Sequence, residues 1–401
     1  MPLIVQKYGG TSIESLEKIN EVAKKIGKKK SEGNNLIVVV SAMGKTTDYL
    51  LDMAYKISDN PKKRELDVLM STGEQVSIAL LSIALNNMGI SAVSYTGPQL
   101  GIKTEGFHTK SRIADINVNE ILKEINENRV VIVAGFQGVN KNNEITTLGR
   151  GGSDTTAVAL AAKLECKCEI FTDVDGVYTI DPKLYPSAKK LKSICYEEMI
   201  ELASSGAGVL NARSIELAEK YKVPLLVALN KGDIEGTIIK ELDSEMENSS
   251  ITGLAIDNNQ AMITLNGVPH DIRVIADIFE QIAKLDINID MISQTTPVNK
   301  LVNISFTIPK SDLACAIEIL DRFKNNIFTF SYETYENITK LSVVGIGMKS
   351  QSGVASKMFK LLADNNIPVN IITTSEIKIS YIINPNDQQK AIEAVAKEFN
   401  L

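Results

Sequence analysis

The chain has 401 residues, too many for one ordinary domain, so two or three are expected. Hydrophobic residues make up 44% and charged ones 23%, which suits a sizeable core, and the net charge of −6 argues against a nucleic-acid binder. No apolar run approaches the roughly 20 residues of a membrane span, the first strand leaves no room for a signal peptide, and four cysteines show no zinc or disulfide spacing, so a cytoplasmic protein with no metal site of its own is expected.

Residues 3–8 read as a short apolar strand ending on Lys7 and Tyr8. Gly9-Gly10-Thr11-Ser12 follows, ahead of a helix beginning near Ile13. A strand, two glycines and a helix start together aim backbone N–H groups at an anion, with Lys7 beside them as a mobile positive charge. The basic run Lys24, Lys25, Lys28, Lys29 and Lys30 reads as the solvated end of that helix. Strand 36–40 runs into Ser41-Ala42-Met43-Gly44-Lys45-Thr46-Thr47. Its Gly-Lys-Thr is no P-loop, because the required first glycine falls on Val39. Ser71-Thr72-Gly73-Glu74-Gln75 opens an apolar helix with a carboxylate in its first turn.

Strand 130–134 precedes the densest motif, Thr147-Leu148-Gly149-Arg150-Gly151-Gly152-Ser153-Asp154. Its glycines permit close backbone approach, and Ser153 and Asp154 stand where the N-cap of a helix over 155–164 belongs. Arg150 adds a planar fork for a carboxylate or phosphate. Strand 169–172 leads into Thr172-Asp173-Val174-Asp175-Gly176-Val177-Tyr178 and then Asp181-Pro182, and 225–228 reads as one more buried strand. Polar or Gly-rich turns at the ends of apolar strands describe an open, largely parallel α/β sheet that binds ligands along its strand ends.

Residues 243–250 are polar and aperiodic, a candidate linker. Beyond them lies an internal repeat: strand, helix, two strands and a helix over 261–324, and again over 341–399. Asp286-Ile287-Asn288-Ile289 answers Asn366-Ile367-Pro368-Val369 at the same place in each unit. The first unit has a closing strand at 327–335, whereas the second reaches Leu401 without one. The spare strand 251–256 is therefore expected to cross over and complete the second sheet. In the second unit Gly345-Ile346-Gly347 suggests a dinucleotide fingerprint, but the third glycine would be Ser350.

Taken in order, Lys7-Tyr8-Gly9-Gly10-Thr11-Ser12, Ser41-Ala42-Met43-Gly44, Gly73-Glu74, the Gly149–Asp154 run and Thr172-Asp173 resemble the aspartate kinases of the amino-acid kinase family. The C-terminal repeats resemble ACT domains, small amino-acid-sensing modules. The resemblance implies a catalytic domain over 1–242 and ACT-like units over 251–335 and 339–401, the second completed by 251–256. It also implies transfer of a phosphoryl group from ATP to the side-chain carboxylate of L-aspartate, the first step toward lysine, threonine and methionine, with magnesium arriving on the nucleotide. Lys7 and Asp154 would be the catalytic pair, Asp154 organising Lys7. Lys7, Tyr8, Gly9, Gly10, Ser41, Thr172, Asp173, Tyr178 and Lys183 would serve ATP. Thr47, Glu74, Arg150, Gly151, Gly152 and Ser153 would hold aspartate, with Arg150 on its α-carboxylate and Glu74 on its α-ammonium. Lysine, threonine or both would inhibit through the ACT units, where Asp271, Met291, Asn370 and Thr374 are the candidate contacts, and the same units would build a homo-oligomer.

Two departures stand out. Many aspartate kinases have Lys-Val-Leu-His-Pro where this chain reads Gly208-Val209-Leu210-Asn211-Ala212-Arg213, so Lys183 or Arg213 must replace that lysine or its contribution is absent. The first repeat, at Val268-Pro269-His270-Asp271-Ile272-Arg273, lacks the glycine usual after the first strand, whereas the second keeps Gly345-Ile346-Gly347-Met348. The alternatives are a catalytically silent amino-acid sensor and a kinase of the same fold with another acceptor. Neither His108 nor His270 is assigned a catalytic role.

Overall fold

The computed structural model describes residues 1–231, 234–243 and 250–401. They form two compact units. The first holds Met1–Val177, Lys190–Ala203 and the described residues of Gly208–Met246; the second holds Tyr178–Lys189, Ser204–Ala207 and those of Glu247–Leu401. Of the candidate linker 243–250, residues 244–249 lie outside the described residues.

In chain order, the first unit comprises β1 (Leu3–Tyr8), α1 (Leu16–Ser31), β2 (Asn35–Val40), α2 (Thr46–Ile57), α3 (Lys63–Met70), α4 (Thr72–Asn87), β3 (Ala92–Tyr95), β4 (Ile102–Glu105), β5 (Arg112–Ile116), α5 (Asn119–Asn126), β6 (Val130–Ala134), β7 (Gln137–Val139), β8 (Ile145–Thr147), α6 (Gly152–Lys163), β9 (Lys167–Thr172), β10 (Ser193–Cys195), α7 (Tyr196–Ser204), α8 (Ala212–Tyr221), β11 (Leu225–Leu229) and β12 (Thr237–Lys240). Eight strands make one sheet in the order β10-β12-β11-β9-β1-β2-β6-β3, parallel throughout except for β11 against β12. A small sheet, β5-β4-β7-β8, carries the chain toward α6.

Burial on both faces explains why residues 36–40 of β2 and all of β6 read as unbroken apolar runs. Ile4 and Tyr8 join Leu36, Val38, Val40, Val130 and Ile132 in packing against Ile19, Val22 and Ile26 of α1 and Ile78, Leu81 and Leu85 of α4. Strand alternation then turns Lys7 to the opposite face, where α6 lies against β1, β2 and β9. Helices α3 and α4 run on through Ser71, and the joint segment Lys63–Asn87 is long and apolar enough to cross a membrane by length and composition alone. Leu66, Met70, Ile78, Leu81 and Leu85 are nevertheless buried in the unit, together with Asp67 and Glu74, as in a core helix.

The second unit comprises β13 (Gly253–Asp257), β14 (Gln260–Pro269), α9 (Ile272–Ala283), β15 (Asp290–Gln294), β16 (Leu301–Pro309), α10 (Leu313–Asn326), β17 (Ser331–Tyr335), β18 (Thr339–Val344), α11 (Val354–Asp364), β19 (Val369–Thr374), β20 (Lys378–Ile383) and α12 (Gln388–Phe399). Its sheets are β15-β16-β14-β17 and β13-β18-β20-β19. β13 pairs antiparallel with β18, from Gly253↔Val344 to Asp257↔Lys340, so a strand that precedes the first repeat completes the sheet of the second. The segment Tyr178–Lys189, read from sequence as part of 1–242, packs here instead: Ile180 is buried beside Ile251, Leu254 and Val343, and Leu184, Tyr185 and Ala188 pack against the same cluster.

Candidate active site

Turns at the strand ends of the first unit enclose a cleft of about 260 Å³. Into it project Lys7 and Gly10 from the β1 turn, Ser41 and Thr47 from the β2 turn and α2, Glu74 from α4, and Arg150, Gly151, Gly152, Ser153 and Asp154 from the start of α6. The loops are drawn together by glycine. A Cβ on Gly10 would lie 2.7 Å from the Ala42 carbonyl oxygen, and one on Gly73 would lie 2.8 Å from the Ala42 Cβ.

Helix α6 begins earlier than the sequence suggests. Its N-cap is Gly151, with φ of 72° and no side-chain capping bond, which places Ser153 and Asp154 inside the first turn. A Cβ at Gly151 would come within 2.3 Å of the Asn211 Cβ, so glycine is required both by space and by backbone angle. Asp154 Oδ1 lies 2.5 Å from Lys7 Nζ, and both side chains are about nine-tenths buried. The first-turn position adds the positive end of the helix to the ammonium in favouring a carboxylate there.

Glu74 is almost fully buried. Its Oε1 accepts the Ala42 N–H at 3.0 Å, while Oε2 has no hydrogen-bond partner. Burial pushes its carboxyl up from the ordinary 4.5 to about 7, against backbone N–H bonds that pull it down. A buried carboxylate with one open oxygen in a cleft is an incomplete receptor for a cation.

Other candidates lie elsewhere. The Tyr8 ring is fully buried, stacked on Phe171 with centroids 4.9 Å apart, so it presents no side chain to the cleft. The Gly9 N–H donates to the Phe171 carbonyl at 3.2 Å. Thr172 ends β9 and Asp173 follows it, the Thr172 hydroxyl donating to Asp173 Oδ1 at 3.0 Å. Tyr178 and Lys183 belong to the second unit. Arg213 does not stand free to replace the missing lysine. Its Nη1 donates to the Leu148 carbonyl and its Nη2 to the Ser111 carbonyl, each at 3.0 Å. Asn211 caps α8 and donates from Nδ2 to the Arg150 carbonyl at 3.1 Å. Both therefore brace the turn that bears Arg150, a role that residue type alone does not announce. At Gly208 a Cβ would meet nothing within 4 Å. In the second unit Asp271 caps α9, Met291 is buried on β15 at φ of 49°, and Asn370 and Thr374 are exposed on β19.

The model of the amino acid kinase family matches residues 2–228, and that of the ACT domain matches 263–322 and 341–399. Over all of its length the chain is 47% identical to the aspartokinase of Bacillus sp. (strain MGA3), covering 98% of that protein. The chain belongs to the amino acid kinase family, in its aspartokinase branch. It is 46% identical to aspartokinase 2 of Bacillus subtilis (strain 168), again over 100% of this chain and 98% of the relative. The crystal structure of E. coli aspartokinase III in complex with aspartate and ADP shares the fold, with a TM-score of 0.84 over 100% of both chains at 22% identity. As an aspartokinase-branch kinase the chain is an enzyme, and Glu74 and the Lys7–Asp154 pair stand in a cleft lined by Gly10 and Gly149 to Gly152.

Proposed function

We propose that the enzyme transfers the γ-phosphoryl group of ATP to the side-chain carboxylate of L-aspartate, giving 4-phospho-L-aspartate and ADP. The buried Glu74 carboxylate with its open Oε2 carries this reading, since an α-ammonium group supplies the donor it lacks. Arg150, on the same cleft, takes the α-carboxylate through its planar fork. Lys7 neutralises charge on the transferring phosphoryl group, and the amide of Gly10 lies beside it, that of Gly9 being taken by the Phe171 carbonyl. Ser41, Thr172 and Asp173 serve the nucleotide, and Thr47 and Ser153 the amino acid. A side-chain carboxylate oxygen of aspartate attacks the γ-phosphorus, the new O–P bond forms, and the bond to the β,γ-bridging oxygen breaks with its electrons leaving on ADP. The nucleophile is already ionised and has no proton to lose, so Asp154 holds Lys7 rather than acting as a base. Positioning and charge neutralisation carry such a transfer. Magnesium comes with the nucleotide, since Mg²⁺ usually keeps several waters and takes few protein ligands.

In this reading 1–242 is the catalytic domain, and 251–335 and 339–401 are regulatory units. Lysine, threonine or both bind at Asp271, Met291, Asn370 and Thr374, lower activity and work through a homo-oligomer in the cytoplasm. The test is ATP turnover with aspartate, trapping the acyl phosphate with hydroxylamine, with and without lysine and threonine. Aspartate-dependent hydroxamate is expected, reduced by at least one of the two amino acids through a coupling of ~1–3 kcal/mol. Turnover that ignores aspartate refutes the substrate, and indifference to both effectors in activity and thermal stability refutes the sensing role.

A further inference from the structure

The turn that carries Arg150 is anchored from behind the cleft by a single buried carboxylate. Asp67, on α3, is fully buried, and its oxygens collect three neighbouring donors. The Thr147 hydroxyl donates to Oδ1 at 2.5 Å, His108 Nδ1 lies 2.6 Å from Oδ2, and the Thr109 N–H reaches both oxygens at 3.1 Å. Two of these partners, Thr147 and Thr109, border the Gly149–Asp154 run. Thr147 ends β8, two residues before Gly149, and its carbonyl accepts the Ser111 N–H at 3.0 Å. The carbonyl oxygen of Thr109 would lie 3.0 Å from a Cβ on Gly149, so these two stretches of backbone are in contact.

Thr109 is itself strained, a β-branched residue held at φ of 69°. Such a conformation persists only where its surroundings over-determine it, and the two Asp67 oxygens on its N–H do so. On the other side Arg213 grips the Leu148 and Ser111 carbonyls. The segments before the turn are thus tied at several points, and none of those ties reaches into the cleft.

We infer that Asp67 is a positioning residue for aspartate recognition: through Thr147 and Thr109 it fixes the backbone that presents Arg150 and Ser153 to the substrate. This rests on the proposed reading of the cleft as the aspartate site. Thr147→Val removes the hydroxyl while keeping the side-chain shape, and Thr147→Ser keeps the hydroxyl. In the full-length enzyme Thr147→Val should raise the KM for aspartate roughly tenfold or more and leave that for ATP within about twofold, whereas Thr147→Ser stays within about threefold of wild type. In the ligand-free protein, amides of residues 149–153 should exchange roughly tenfold faster in Thr147→Val, with those of β1 and β2 unchanged. His108→Ala, which removes another Asp67 partner at a partly exposed ring, should give the same pattern with smaller amplitude, and it decides the matter if Thr147→Val does not fold. An unchanged KM for aspartate together with unchanged exchange, a rise of both KM values with exchange faster everywhere, or failure of Thr147→Ser to restore the wild-type values overturns the inference. A wild-type enzyme that ignores aspartate refutes the proposed substrate instead, and the exchange pattern then decides by itself whether Asp67 holds the turn.

Discussion

Glu74→Gln should weaken the enzyme's grip on aspartate and stabilise the empty protein at once. The amide keeps the Oε1 acceptor for the Ala42 N–H while removing the charge from a nearly fully buried site. In the native state this carboxyl is pushed from 4.5 to about 7 by burial. The sign follows from proton counting. Between those two values the folded protein holds a proton that the unfolded chain has lost, so wild-type stability is highest below about 4.5 and falls as pH rises to about 7. The full difference amounts to about 3 kcal/mol above neutrality. The variant, which does not titrate, should therefore unfold at a higher temperature at pH 8, and the gain should vanish near pH 4. Binding moves the opposite way. The ionised carboxylate is the form that receives an ammonium, so the wild-type KM for aspartate should climb up to about tenfold per pH unit as pH falls below about 7. Losing a buried charge partner costs a few kcal/mol, so Glu74→Gln should raise that KM by roughly 10² at pH 8 and flatten its pH dependence. Thermal melts from pH 4 to 8 and initial rates on the hydroxamate assay read both effects. A variant no more stable than wild type at pH 8, or one that keeps the pH-dependent KM, refutes the placement of this charge.

Lys7→Ala should lower turnover by roughly 10² or more, the cost of removing a preorganised charge from the transferring group, and near-normal kcat would refute its role. In the second unit, Lys340 is buried on β18 and its Nζ lies 2.5 Å from Asp290 Oδ2 on β15. Burial pushes the Asp290 carboxyl up, but the Lys340 ammonium and its hydrogen bond prevail and hold it below the ordinary value. Asp290→Asn leaves the lysine buried without its counter-charge and should destabilise this unit by about 2 kcal/mol or more in urea unfolding, whereas Asp290→Asn with Lys340→Met should recover most of that loss; equal losses in the two proteins would sink the pairing argument.

Much of the fold is legible in the sequence because its signals are local. β2 and β6 are rich in β-branched residues and buried on both faces, and the glycines of the β1 and α6 turns stand where backbones meet. The cap of α6 is misread because Ser153 and Asp154 are favoured capping types, whereas the position is decided by Asn211, which leaves room only for glycine at 151. Arg213 suggests a ligand cation by type, yet its partners are backbone carbonyls, which no residue pattern reveals. Residues 178–189 carry no mark of their destination, since Ile180 fits any core and its partners lie at least 70 positions downstream. Asp67 leaves one visible trace: an acidic residue between Leu66 and Val68 in the apolar half of α3.

Three buried carboxylates of the first unit show how a structural charge is told from a receptive one. Glu169 is buried on β9, but Gln6 Nε2 donates to it at 2.9 Å and Lys167 Nζ stands 2.9 Å away. Asp67 is buried more deeply still, with hydroxyl, imidazole and amide partners on its oxygens. Glu74 has one amide on Oε1 and none on Oε2, and it faces the cleft. A buried acceptor without its donor costs stability, and a site that tolerates this cost has a reason outside the fold itself. On the proposed reading the donor is supplied by what binds, and Glu74, rather than either of its better-satisfied neighbours, is the carboxylate left to receive a cationic group of the substrate.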